Sequence, residues 1–448
     1  MGPKTLILTF VIVCASVYAI YKSFKSPLWG LALMLFLTSY SAFIERLIPA
    51  QIPYAFLCDA YCAALFYVIV MVNPKPHAGK SISSILILFL AYIFIEIFNV
   101  NSTSLMGSFW VFVRTYLARY LFFYICLNVL DNYKDTKTFL RMLFIIILGT
   151  GFYALKQKYL GFYGFEMVQF WGEGARTNIL KQLEPGGGVG YLYRVFSTYS
   201  DATACGYSLG IGALIGTALC FISESKKETT FYLLGSATLL WALVFPVSRA
   251  AYVFLVLAMI ILTALINLRY FAVTLISLVI IFLAVNMSDN PSAMLAKAIT
   301  SPTEDASFGV RMENRRAMES TLWTLLGHGL GSGGTTGQKF GRELGIDLAT
   351  IPRPSDSLWV LMLYEVGIIG TLLFALLYMT GLIKSLHNYC AARVKKVKII
   401  MALPVAIICS SFLFWYTQGT YFMYFYCALL AIVANFKKIE KSVITQGD

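Results

Sequence analysis

Long apolar runs, each about 18–20 residues, follow one another along most of this chain with only short polar breaks between them. A helix of that length crosses about 30 Å of hydrocarbon. Inside lipid every backbone amide and carbonyl group must be paired within the protein, so a chain crosses either as helices or as a closed barrel. The alternating pattern of barrel strands is absent. The sequence therefore predicts an all-α polytopic integral membrane protein.

We recognise about thirteen such runs, which predicts 12–13 transmembrane helices within a single domain over residues 1–448. The runs are Thr5–Tyr21, Pro27–Ile44, Ile52–Val72, Ser81–Val100, Phe109–Leu130, Phe139–Lys156, Ala202–Ile222, Phe231–Val247, Ala250–Asn267, Tyr270–Met287, Ser357–Ile383, Ile399–Trp415 and Thr420–Phe436.

The charge of the chain fits this class better than it fits nucleic-acid binding. The formal net charge is +13, but the excess lies in short loops such as Lys395–Lys398 and Lys437–Lys438. That distribution is the positive-inside bias of membrane proteins. The cysteines lie almost wholly inside apolar runs, where neither a disulfide framework nor a zinc pattern fits them. We therefore predict membrane lipid, and no nucleic acid, as a partner.

Two long polar segments interrupt the apolar pattern, at 157–198 and 289–356. The basic loops around Lys134, Lys226 and Lys384 fall on one side of the membrane, which the positive-inside rule makes cytoplasmic. Both long segments then fall on the other side as periplasmic loops, and so does the amino terminus. The second loop is expected to contain an amphipathic helix.

Arginines recur at the ends of the segments that reach this outer side. Arg194 precedes a polar turn and a Gly-rich helix, Arg249 opens the second helix of a hairpin, and Arg311 and Arg315 are spaced by one helical turn. A guanidinium fork stays charged and binds phosphate oxygens in pairs, so convergent arginines suit a diphosphate. We predict that these four residues bind diphosphate, with Tyr199 as a further substrate-binding candidate.

Each candidate also has a plainer interpretation. Arg194 and Arg249 would equally cap helix ends or extend along the membrane interface. Asp356, just before an apolar run, is in the usual position of a helix N-cap, and His328 between two glycines is typical of a loop. The glycine runs lack the strand and the Gly-Lys-Ser/Thr pattern of a phosphate-binding loop.

Several of these motifs, taken in order, resemble the O-antigen polymerase/ligase superfamily, which comprises Wzy-type polysaccharide polymerases and WaaL-type O-antigen ligases. The resemblance spans roughly 194–370. The matching pieces are Arg194 with its polar turn, Ser248-Arg249, Arg311 before a Trp-containing helix, Gly327-His328-Gly329-Leu330-Gly331, Ser355-Asp356-Ser357-Leu358, and Tyr364-Glu365-Val366-Gly367-Ile368-Ile369-Gly370.

One departure from the family pattern is informative. Ligases of this superfamily typically have a histidine where this chain has Asp356, followed by Ser357. In ligases that histidine is thought to activate the acceptor hydroxyl. Its replacement by aspartate favours a polymerase over a ligase and leaves Asp356 or His328 as the catalytic base.

The resemblance implies a GT-C-like glycosyltransferase in the bacterial inner membrane, with its active site facing the periplasm. Its substrate would be an oligosaccharide on undecaprenyl diphosphate, which it would polymerise into O-antigen, capsule or exopolysaccharide. A chain-length regulator and a flippase are implied as partners. The chain has no Asp-x-Asp motif and no ligand cluster, so we predict no cofactor and no metal.

Two alternatives remain open from the sequence. The first is an O-antigen ligase that transfers glycan to lipid A core or to protein. The second, from another class, is a transporter or flippase for a lipid-linked sugar. A transporter needs access from both faces, whereas the polar residues here concentrate on one side, and no internal repeat or matched pair of broken helices is evident.

Overall fold

The computed structural model describes residues 18, 20–47, 54–72, 80–102, 104–170, 179–183, 189–267, 269, 323–333, 358–414 and 420–445. The longer helices are α1 (Pro27–Leu47), α2 (Tyr54–Phe66), α3 (Lys80–Ile95), α4 (Leu105–Val111), α5 (Ala118–Val129), α6 (Tyr133–Tyr159), α7 (Ala202–Ile222), α8 (Lys226–Leu243), α9 (Arg249–Ile266), α10 (Leu358–Ala391), α11 (Lys395–Phe414), α12 (Thr420–Ala434) and α13 (Phe436–Ile444). Two π-helical segments, Tyr67–Met71 and Phe112–Leu117, extend α2 and join α4 to α5.

The prediction of an all-α polytopic membrane protein is confirmed. Among the described residues, seven helices are long and apolar enough to cross a membrane, or eight if the bent pair α12 and α13 counts as one span. Two predicted runs, Thr5–Tyr21 and Tyr270–Met287, lie wholly or almost wholly outside the described residues. Each of the other runs coincides with a helix.

A short β-hairpin within the polar segment 157–198, which was predicted to be the first periplasmic loop, is a feature that the sequence analysis did not anticipate. Strand β1 (Ile179–Leu183) pairs antiparallel with β2 (Val189–Tyr193), and Ile179 lies opposite Tyr193. Five residues connect the strands, which is a common length for a hairpin connection. Arg194 is the residue that directly follows β2 of this hairpin.

Helix α7 is the centre of the bundle and packs against α6, α8, α9 and α11. Its glycines allow this close packing, since a Cβ atom added to Gly206 would lie 2.8 Å from the Cβ of Ala251 in α9. A Cβ on Gly212 would lie 2.5 Å from Ile147 of α6 and 2.9 Å from Leu239 of α8. Small residues let neighbouring helix backbones approach closely in a membrane. The small side chains of α7 therefore fix the positions of the helices around the first outer loop.

The remaining helices form a second part of the bundle that meets the first at α11. Helix α11 packs against both α9 and α10, and α10 packs against α3. Helix α12 lies inside the bundle, with residues 422–433 buried, and packs on α5. At the basic end of α12 the chain bends by 58° into α13. There Asn435 donates hydrogen bonds to the carbonyl oxygens of Leu127 and Leu130 at the end of α5.

Candidate functional site

Arg194 is held against the turn between α8 and α9, at the end of the bundle opposite the basic loops. Its Nε donates to the carbonyl oxygen of Pro246 at 2.8 Å, and its Nη2 donates to that of Val247 at 3.1 Å. Two parallel donors are what the planar guanidinium group offers and a lysine lacks. Tyr252 donates to the carbonyl of Val244 from the α9 side, at 2.7 Å. The turn is therefore fixed from both sides.

Arg249 is the first residue of α9, two positions after the carbonyl that Arg194 binds. The N-terminal end of a helix carries partial positive charge, so a cation there is unfavourable by about 0.3–1 kcal/mol. Val247 has a φ of +48°, a left-handed conformation that a β-branched residue rarely adopts. The positive φ of Val247 and the cation at the start of α9 thus lower the stability of this turn, while the same cation and the helix N-terminus would attract an anion.

The loop that carries Arg194 is anchored to α1 and α6. Gln157 of α6 accepts a hydrogen bond from the Ser197 amide at 2.7 Å, and the Ser197 hydroxyl donates to the Thr150 carbonyl at 2.6 Å. Arg46 of α1 donates to the Ser197 and Tyr199 carbonyls, at 3.2 and 3.0 Å. The side chains of Arg46 and Gln157, to which the sequence analysis gave no role, therefore help to set the position of Arg194.

Glu166 is the buried acid that holds this region together. Its carboxylate is fully buried and accepts hydrogen bonds from Tyr153, Lys156, Gln157 and the Tyr163 amide. Burial by itself raises the pKa of Glu166, but the hydrogen bonds outweigh burial and lower the pKa below its usual range. The ion pair with Lys156 spans 2.9 Å. The charged form is therefore the one that the fold stabilises.

Tyr199, predicted to bind substrate, lies in the interior. Its side chain is buried, and its hydroxyl shares a hydrogen bond with the Ser208 hydroxyl of α7. The contacts that the structure shows for Tyr199 are those of a packing residue, which links the outer loop to the central helix.

Helix α10 is broken near its N-terminal end, and the break forms the second polar feature of the site. Gly367 has φ 67° and ψ −167°, a conformation that is essentially restricted to glycine. The break removes helical partners from the neighbouring backbone groups. Non-helical backbone at membrane depth is tolerated only where the protein pairs those groups again.

Residues 323–333, here called the clamp segment, supply those partners. The amides of His328 and Gly329 donate to the carbonyls of Tyr364 and Glu365, at 2.9 and 3.0 Å. In the opposite direction, the Ile368 amide donates to the Thr324 carbonyl at 3.0 Å. The segment approaches so closely that a Cβ on Gly327 would lie 2.5 Å from the Glu365 carbonyl oxygen. The break and the clamp segment are therefore one structural unit.

His328 has a defined orientation within this unit. Its ring stacks on Tyr364, with centroids 4.3 Å apart and planes 5° apart. Its Nδ1 lies 3.2 Å from the Tyr364 carbonyl oxygen, which only accepts hydrogen bonds. That contact requires the proton on Nδ1, so Nε2 is the nitrogen available to accept a proton.

Two buried carboxyl groups border the clamp segment, and the sequence analysis gave neither a role. Glu365 is 2% exposed and accepts from the Gly333 amide at 3.2 Å, and Glu96 is 3% exposed and accepts from Asn99 at 2.7 Å. Asn99 also donates to the Leu326 carbonyl of the clamp segment at 3.0 Å. The signal that would have found both is an acid inside an apolar run, since such residues in membranes are rare and functional.

The structure thus places Arg194 and Arg249 at one turn and His328 at the break in α10. Helix α11 packs against both α9 and α10. Asp356, Arg311 and Arg315 lie outside the described residues, and the described part of α10 begins two residues after Asp356. No group of three or more His, Cys, Asp or Glu side chains in the described ranges is arranged to hold a metal ion. Metal independence stays a prediction.

These features define a polytopic α-helical membrane protein that carries an arginine-bearing turn and a helix break bordered by a histidine. Residues 234–375 match the family model Wzy_C, described as O-Antigen ligase. The matched segment contains Arg249, the clamp segment and the break in α10. This match agrees with the resemblance of the chain to the O-antigen polymerase/ligase superfamily. No curated protein matches the chain.

Proposed function

We propose that this protein polymerises oligosaccharide units carried on undecaprenyl diphosphate, at the outer face of the bacterial inner membrane. The observation that supports the proposal most directly is the α8–α9 turn. There Arg194 donates a hydrogen bond to the carbonyl oxygen of Val247, two residues before Arg249, which opens α9 at its positively polarised end. The family assignment supports a glycosyl transfer of the ligase or polymerase type.

The proposed reaction joins a sugar hydroxyl of one lipid-linked unit to the anomeric carbon of another. The new bond forms between the acceptor oxygen and that carbon, while the bond from the carbon to the diphosphate oxygen breaks. Arg194 and Arg249 stabilise the charge that develops on the leaving diphosphate, as preorganised cations do in other transfer enzymes. The hydroxyl proton passes to a base, for which Asp356 and Nε2 of His328 are the candidates.

The ligase alternative differs only in the acceptor, which would be lipid A core or protein. The description of the family model, O-Antigen ligase, favours the ligase alternative, whereas the aspartate at position 356 opposes it. Incubation of the purified protein with one lipid-linked repeat unit separates the two. A polymerase produces a ladder of lengthening products from that substrate alone. A ligase produces no ladder and transfers the unit when lipid A core is added.

The arginine assignment has its own test within this assay. Arg194→Lys and Arg249→Lys keep the charge and lose the planar fork, so each is expected to lower the rate of product formation by about 10²-fold or more. Arg141→Lys is the matched control, because Arg141 is half-exposed at the basic end of α6, where it lies 3.6 Å from Glu228. Near-normal rates in both test variants would exclude a diphosphate clamp at this turn.

A further inference from the structure

A second group of charges lies inside the membrane, on the helical span Leu105–Val129. Arg114 and Arg119 are both in this span, and Arg119 is buried with 8% of its surface exposed. Asp59 of α2 interacts electrostatically with both guanidinium groups. Ionisable side chains in a membrane are costly and usually mark a functional site with an identifiable partner.

The backbone around Arg114 is irregular. Phe112–Leu117 is π-helical, and such segments inside α-helices occur mostly at functional sites. Arg114 is half-buried, and Asp59 interacts with it electrostatically. The cluster therefore combines two guanidinium groups with one carboxyl group, and Asp59 interacts electrostatically with both arginines.

This charged cluster is separate from the α8–α9 turn, and α12 lies between the two. Phe422 of α12 contacts Tyr207 and Phe254 of α7 and α9, with ring centroids 6.3 and 6.4 Å apart. Tyr424, two residues on and on the opposite side of the helix, contacts Phe122 at 5.2 Å and interacts with Arg119. A helix with its side chains is about 10 Å wide, so one anion could not occupy both places.

The cluster is also connected to the clamp segment. Ser108, on α4 of the same span, donates to the Leu330 carbonyl at 3.0 Å. Arg114 follows Ser108 by six positions, which places it roughly 9 Å deeper in the membrane. Its long side chain is able to reach back toward the lipid headgroups. A lipid phosphate bound there would leave its headgroup pointing toward His328.

We infer that Arg114 and Arg119 form a second lipid-phosphate site, which binds the diphosphate of the acceptor while Arg194 and Arg249 bind that of the donor. The inference rests on the proposed function, because polymerisation requires two lipid-linked molecules at once. Asp59 neutralises one of the two arginines, so that the empty site does not carry two uncompensated charges in hydrocarbon. The acceptor sugar then extends outward to the catalytic base.

The test counts bound lipids by native mass spectrometry of the full chain, with undecaprenyl diphosphate as the probe. The unaltered protein is expected to bind two molecules. Arg114→Gln should weaken one of the two by about tenfold, the loss expected for one charge-assisted hydrogen bond. Arg114→Lys should retain part of that affinity, and it replaces Arg114→Gln if the latter fails to fold. Arg141→Gln is the matched control and should bind two.

Competition with phosphatidylglycerol distinguishes the sources of the phosphate. If phosphatidylglycerol at equal concentration displaces undecaprenyl diphosphate from the Arg114 site, the site is a general phospholipid site and the inference is overturned. The inference is also overturned if Arg114→Gln binds two molecules of undecaprenyl diphosphate with unchanged affinity. The polymerisation assay separates this failure from that of the proposed function. A ladder from the unaltered protein together with an unchanged ladder from Arg114→Gln would overturn only the second site.

Discussion

Two residues at the α8–α9 turn have unfavourable backbone or electrostatic environments. Val247 adopts a positive φ, and Arg249 puts a cation at the start of a helix. Strain of this kind costs about 1–3 kcal/mol at a residue and persists only where the surrounding structure enforces it. Arg194 enforces it here through its bonds to Pro246 and Val247. The strain therefore supports a functional role for this turn.

The base is the residue-scale question that mutation answers most directly. As an N-cap, Asp356 should tolerate Asp356→Asn, since asparagine caps about as well as aspartate. As the base, the same change should lower turnover by about 10²–10⁴-fold while donor binding persists. The measurements are steady-state rates and lipid-donor binding, with His328→Gln assayed beside it. A stable and fully active Asp356→Asn would transfer the role to Nε2 of His328.

Glu166 gives a pH-dependent prediction at the same scale. Its folded-state pKa is lowered, so its contribution to stability is complete above its ordinary value of 4.5 and is lost as the pH falls through the folded-state value. We expect Tm to fall in acid and Glu166→Gln to flatten that dependence. The variant should also lose about 3 kcal/mol at neutral pH, because Lys156 is left buried without its partner. An unchanged Tm profile below pH 4.5 in the variant would contradict this account.

At the scale of elements, a substitution that disrupts either the break in α10 or the clamp segment should destabilise both. A methyl group on Gly367 would lie 2.5 Å from the Leu325 carbonyl oxygen, and both Gly327 and Gly367 have positive φ. Gly327→Ala and Gly367→Ala are each expected to cost about 1–3 kcal/mol or more, measured by thermal unfolding in detergent. Gly164→Ala is the control, because a Cβ there meets nothing within 4 Å. Equal Tm values for all three would remove the argument for close backbone contact.

The helices themselves were predictable from the sequence, while their interruptions were not. A long apolar run such as Ala202–Ile222 must form a helix to pair its backbone groups in lipid, so hydropathy alone locates the helix. The break at Gly367 depends on hydrogen bonds from a segment about forty residues earlier in the chain, which no local pattern encodes. The candidate residues Arg194, Arg249 and His328 were singled out by residue type and position, but their hydrogen-bond partners were visible only in the structure.

For the molecule as a whole, every proposed role depends on one orientation in the membrane. The α8–α9 turn, the clamp segment and Glu166 lie at one end of the helices, and the basic residues of α13 and the α10–α11 loop lie at the other. A lipid-linked diphosphate reaches the arginines only if the first end faces the periplasm. The positive-inside rule predicts that it does.

Cysteine labelling in intact spheroplasts tests this orientation directly. Tyr163 is 54% exposed beside Glu166, so Tyr163→Cys should react with a membrane-impermeant maleimide before the cells are opened. Lys438→Cys, on α13, should react only after permeabilisation. Both are made in a Cys390→Ser background, because Cys390 is exposed at the basic end of α10 and would itself label once the membrane is broken. Labelling in the reverse order would place Arg194 and Arg249 in the cytoplasm. The charge bias of the loops would then have misled the assignment, and a periplasmic polymerase would be excluded whatever the clamp segment does.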